Sequence, residues 1–116
     1  MSAALIYKIE SAAIWAEAVA AGSYAGSALD RADGYIHLST ASQAEATLRK
    51  WFAGRSGLIV AAVDAAALAD ALRYEAARGG DLFPHLYAPL PMSAVRWTRA
   101  IRDLADGGHA LDALEA

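Results

Sequence analysis

DGYIHLSTASQ, residues 33–43, sets a glycine turn, a short strand and a helix start side by side, with a histidine at its centre. Asp33-Gly34 is a turn signal. Side chains alternate across a strand, so over 35–39 Ile36 and Leu38 face one way while Tyr35, His37 and Ser39 face the other. One face seeks a core and the other carries three polar groups. Thr40-Ala-Ser-Gln43 then matches a capping box, in which the threonine oxygen accepts from the Gln43 backbone N–H and the glutamine reaches back. The spacing predicts a helix over 41–53, with Leu48, Trp51 and Phe52 on its buried side and Gly54 at its end.

Working outward, Leu5, Tyr7 and Ile9 alternate with Ile6 and Lys8 in a first strand. Ser11 caps a helix over 12–21 that Gly22 terminates, and SYAGSALDRADG, 23–34, reads as a polar loop. LIVAAV, 58–63, is a continuous apolar run that predicts a central strand covered on both faces, after which Asp64 caps a short helix over 65–70. LRYEAARGGDLFPHLYAPLP, 72–91, holds all three prolines and is the least regular segment. A strand signal returns over 93–101, and the tail 102–116, broken by Gly107-Gly108, has no assigned structure. Connections in the second half are too short for helical crossovers, which favours an α+β fold over a doubly wound parallel sheet.

Composition bounds the function. The 116 residues, 57% hydrophobic and 20% charged, predict a single domain over 1–116 with a core drawn from Trp15, Trp51, Phe52, Leu58, Ile59, Val60, Leu72, Phe83, Leu86 and Val95. A net charge of −3 without a basic cluster argues against an extended nucleic-acid partner. The chain has no cysteine, so no disulfide framework or thiol nucleophile is available, and a cytoplasmic location is expected. Neither a secretory leader nor a membrane-spanning run is read in the sequence.

His37, on the polar face of its strand, and His85, which shares a face with Tyr87, are the candidate acid–base groups. Two histidines without HxH or HExxH spacing do not make a metal site, and none is expected. Arg78 beside Gly79-Gly80, together with Lys8, would hold an anion, whereas Glu75 is expected in solvent or paired with Arg78. Tyr35, Ser39, Thr40 and Tyr87 complete the candidate ligand-binding set. Trp15 and Trp51 fit helix stripes, and Tyr24, Tyr35 and Tyr87 are placed near loops or on the polar face. GxGxxG, GxxxxGKS/T and GxSxG are all missing, so dinucleotide-fold, P-loop and nucleophile-elbow chemistry find no support.

IYKI, the first-helix tryptophan, GSYAGSALDRADGYIHLSTASQ and LRYEAARGGDLFPHLYAPLP together resemble, in order and spacing over 5–101, an uncharacterised bacterial family, domain-of-unknown-function family 952. The chain departs from it at Tyr74, where tryptophan is common, and at Ala88, where glycine is common. That family is similar in fold to the ADP-ribosyltransferases, and the resemblance implies small antiparallel sheets around a cleft that takes NAD. It would put Lys8 or Tyr7 at the first motif position, His37 to Thr40 at the second, and His85 where the transferases carry a glutamate. The implied role is binding or processing a nucleotide or other small phosphorylated ligand, with NAD as the conceivable cofactor. A non-catalytic ligand sensor, a protein-interaction module, and an NAD-dependent ADP-ribosyl or phosphotransferase-type enzyme stand as alternatives.

Overall fold

The computed structural model describes residues 4–77 and 79–116. In chain order the elements are β1 (Leu5–Ser11), α1 (Ala12–Ala21), β2 (Ser23–Tyr24), α2 (Ala28–Asp33), β3 (Ile36–His37), α3 (Ala44–Phe52), β4 (Leu58–Asp64) and a 3₁₀ segment, Ala65–Ala71. They continue with β5 (Leu72–Ala76), β6 (Leu82–Leu86), β7 (Leu90–Pro91), a 3₁₀ turn, Met92–Ala94, then β8 (Val95–Ala100), β9 (Arg102–Asp103) and β10 (His109–Ala110). The class is α+β. Pairing is antiparallel throughout, in sheets ordered β1-β4-β8, β3-β6-β5, β2-β7 and β9-β10.

The strand read as central is central. β4 pairs with β1 on one side and β8 on the other, and its alternate residues feed two apolar clusters. Ala61 and Val63 join Ile6, Trp15, Tyr24, Ile36, Leu38 and Leu86 on one face, while Leu58, Val60 and Ala62 join Tyr7, Ile9, Leu48 and Ile101 on the other. A strand buried on both faces reads as an unbroken apolar run for this reason. Ser11 caps α1, its oxygen accepting from the Ile14 N–H at 3.2 Å, and Gly22 ends that helix at φ 85°. Asp64 caps the 3₁₀ segment through the Ala66 N–H at 3.0 Å. No helix among the described residues is long and apolar enough to cross a membrane.

Several expectations need correction. The segment read as a polar loop, 23–34, contains β2 and α2, because Ser27 and Asp30 form a reciprocal capping box: Asp30 N–H donates to Ser27 Oγ at 3.1 Å and Ser27 N–H to Asp30 Oδ2 at 2.9 Å. Tyr24, placed near a loop, is 1% exposed. Only half of the Thr40 box forms: Thr40 N–H donates to Gln43 Oε1 at 3.0 Å, but Gln43 N–H bonds the Thr40 carbonyl at 3.1 Å, and α3 starts later, at Ala44. A turn precedes the helix there, so the Thr40 hydroxyl turns instead to Ser42 Oγ at 3.3 Å. Trp51, assigned to the core, is 58% exposed. It occupies the flank of α3 beside a cleft, whereas Ala44 and Leu48 fill the buried stripe. The segment 72–91 is largely a β5–β6 hairpin, and the tail contributes the β9–β10 pair.

Candidate functional site

Between the β1-β4-β8 and β3-β6-β5 sheets, and flanked by α2 and α3, lies a cleft of about 570 Å³. Ile36 and Leu38 are buried in the core, which turns Tyr35, His37 and Ser39 toward this cleft. β3 pairs with β6 so that His37 stands directly opposite His85, with ring centroids 5.6 Å apart. Tyr35 lies among them, stacked on His85 at 4.1 Å and 24°, and 4.7 Å from His37 and 5.2 Å from Tyr87. Four rings thus form one contiguous group.

Beneath His37 sits a buried carboxylate. Asp30, 2% exposed, accepts from Lys8 Nζ at 2.8 Å, His37 N–H at 3.1 Å, His37 Nδ1 at 2.6 Å and Ser27 N–H at 2.9 Å. Burial alone would push this carboxyl up, but the His37 hydrogen bond, the Lys8 charge and hydrogen bond, and the Ser27 N–H together outweigh it and hold Asp30 well below the usual carboxylate range. Lys8, 6% exposed, also donates to the His37 carbonyl at 2.9 Å. Asp33 Oδ2 lies 2.9 Å from His37 Nε2, so both nitrogens of this ring face carboxylates. Next to this group Tyr24 donates to Glu10, and burial, reinforced by that hydrogen bond and the glutamate charge, raises the Tyr24 phenol above its ordinary range.

His85 has a different setting. Its Nδ1 lies 2.9 Å from Glu75 Oε1, and the Tyr87 hydroxyl donates to the same oxygen at 2.6 Å. These two hydrogen bonds, Tyr87 first, hold Glu75 below the usual carboxylate range, and Glu75 in turn raises the Tyr87 phenol. A carboxylate only accepts, so the nitrogen facing it, His85 Nδ1, carries a proton, and in the neutral ring Nε2 then keeps a lone pair. The expectation that Glu75 sits in solvent or pairs with Arg78 is corrected in its first half: Glu75 is half-buried and bonded to His85 and Tyr87.

The cleft therefore brings together Lys8, Tyr35, His37, Ser39 and His85 of the candidate set. Ser39 Oγ lies 3.0 Å from Thr47 Oγ1, which ties the end of the histidine strand to α3. Tyr87 stands behind Tyr35 and borders an adjoining depression. Thr40 does not border the cleft. Arg78 lies outside the described residues. Sequence reasoning missed Asp30, whose signal was Ser27-x-x-Asp30, and it weighed Glu75 but set it in solvent or against Arg78, whereas its place on β5, paired with β6, brings it to His85. It also missed Lys50 and Trp51 on the α3 wall, where Lys50 Nζ sits 5.3 Å over the Trp51 ring. Among the described residues no group of three or more His, Asp or Glu side chains could hold a metal ion.

Fold and cleft define an α+β protein with several small antiparallel sheets and an imidazole- and tyrosine-lined cleft. The chain belongs to the family described as protein of unknown function (DUF952), whose model matches residues 9–98. It is similar to the crystal structure of protein CC0527 from Caulobacter crescentus, at 49% identity and a TM-score of 0.88 over 91% of this chain and 93% of that one. The solution structure of the same Caulobacter protein matches at 50% identity and a TM-score of 0.80, over 90% of each chain. No curated protein matches the chain.

Proposed function

We propose that the cleft binds a nucleotide or another small phosphorylated ligand, in an arrangement of the ADP-ribosyltransferase-like kind that the sequence resemblance implies. The observation that carries this reading is the ring group at the cleft floor, Tyr35 packed against His37, His85 and Tyr87, facing a wall that offers Trp51 and Lys50. Aromatic faces take a planar ring and an exposed ammonium takes an anion. About 570 Å³ is within the range of sites for small molecules. Lys8 supports the floor rather than the ligand, since its charge is spent on Asp30. NAD is the cofactor to test first, and a cytoplasmic setting supplies this ligand class.

The test is a thermal-shift screen of the full chain against NAD, ADP-ribose, mononucleotides and phosphosugars. A ligand that binds only the native state at a hundred times its Kd adds about 2.7 kcal/mol, which is a rise of many degrees for a domain of this size. The expected hit loses most of its shift in Trp51→Ala or Lys50→Ala. A panel that leaves the midpoint unmoved overturns the reading.

A further inference from the structure

The two histidines face one another, yet the groups behind them assign opposite hydrogen-bonding capacities. His37 presents Nδ1 to Asp30 and Nε2 to Asp33, at 2.6 and 2.9 Å, so neither nitrogen has a lone pair to offer while these contacts hold. His85 presents only Nδ1 to a carboxylate. Its Nε2 meets no partner among the described residues, yet no sealed, unpartnered side-chain nitrogen or oxygen occurs among them. The nitrogen therefore opens on the cleft, which His85 lines while being 5% exposed as a residue. Tyr35 fixes the plane of the ring by stacking on it. Tyr87 spends its hydroxyl on Glu75 rather than on Nε2.

We propose that Nε2 of His85 is the acceptor for a hydroxyl of the cleft's ligand, and that Glu75, braced by Tyr87, is a positioning residue that fixes the tautomer able to accept it. The proposal rests on the phosphorylated-ligand reading and orients the ligand within the cleft. The nearby cation of the floor is engaged, Lys8 by Asp30 and the His37 carbonyl, so the floor suits a neutral donor. Lys50 on the opposite wall takes the anionic end. The ligand class is a phosphate that also bears hydroxyl groups.

Two arms separate this proposal from the reading on which it rests. Imidazole ¹⁵N NMR of the ligand-free full chain at neutral pH is expected to show His85 as the Nδ1–H tautomer, with that preference lost in Glu75→Ala. An Nε2–H tautomer, or an unaltered tautomer in the variant, overturns the proposal. Calorimetric titration then compares ribose 5-phosphate with inorganic phosphate. His85→Phe, which retains the ring stack on Tyr35, is expected to weaken ribose 5-phosphate about tenfold, within the span of one hydrogen bond, and to leave inorganic phosphate unchanged. Glu75→Ala, which leaves the imidazole in place, is expected to act in the same direction severalfold, whereas Lys50→Ala weakens both probes. Equal losses for both probes in His85→Phe overturn the hydroxyl assignment. A wild-type chain that takes up neither probe overturns the phosphorylated-ligand reading and the hydroxyl assignment together, while the tautomer still decides whether Glu75 positions His85.

Discussion

Replacing Asp30 with asparagine changes no volume but removes the charge on which Lys8, Ser27 and His37 converge. Four donors share the two oxygens: His37 N–H and Nδ1–H on Oδ1, and Lys8 Nζ and Ser27 N–H on Oδ2. An amide keeps one accepting oxygen and turns two hydrogens toward the other pair of donors. Lys8, 6% exposed, is then left as a buried ammonium with the His37 carbonyl as its remaining acceptor. Breaking a buried pair from one side costs about 3–5 kcal/mol, a large part of the ~5–15 kcal/mol that holds a domain folded. At roughly 4 °C per kcal/mol for this chain length, Asp30→Asn should lower Tm by about 12–20 °C. Urea unfolding at pH 7, checked by calorimetry, measures it. Adding Lys8→Met should restore part of the loss, because the stranded ammonium is removed and the two sites share a bond. A loss below about 1 kcal/mol for Asp30→Asn, or a Lys8→Met cost that simply adds, refutes the reasoning.

Three further outcomes follow from other contacts. Because the Asp30 carboxyl is held below its unfolded value of about 3.9, its stabilisation is complete above that pH and is lost as pH falls toward the folded-state value; the stability gap between wild type and Asp30→Asn should narrow from pH 5 to pH 2 in denaturant titrations. Thr40→Ala should cost less than about 0.5 kcal/mol, whereas Gln43→Ala should cost about 1–2 kcal/mol, since the glutamine accepts from Thr40 N–H and donates to the Leu82 carbonyl at 2.7 Å; the reverse order in urea midpoints would restore Thr40 as the cap. Gly26→Ala should destabilise by about 1–3 kcal/mol, as the residue sits at φ 105° and an added Cβ would stand 2.8 Å from Asp30 Cβ; an unchanged Tm would show that the capping box moves freely.

The parts of the fold legible in the sequence are those where burial and chain direction agree. LIVAAV announces β4 because both of its faces are covered, and Ile36 and Leu38 point to the core because their strand alternates cleanly. Trp51 misled because a helical stripe fixes direction but not what lies opposite. Its flank borders the cleft, which leaves the residue 58% exposed with the Lys50 ammonium over its ring. Lys8 and Glu10 share the strand face of Ile6, and a lysine and a glutamate read as solvent-facing by type. Both are buried here because Asp30 and Tyr24 arrive from outside the strand to meet them.

The site was legible as a set of rings and illegible as a set of roles. Alternation on one strand and a shared strand face on another are enough to single out His37 and His85, and the pairing of β3 with β6 puts them side by side. What each imidazole can do depends on carboxylates from elements that sequence reading did not place: Asp30 on α2, taken for a loop, and Glu75 on β5, in the segment judged irregular. An acceptor-only group fixes the proton on the nitrogen that it faces. Two such groups around His37 occupy both nitrogens, and one behind His85 leaves the other nitrogen turned to the cleft. The chemical difference between two identical side chains, ring centroids 5.6 Å apart, thus comes from the sheet and helix edges behind them. Exchanging the roles would take a carboxylate moved between α2 and β5, not a change at either histidine.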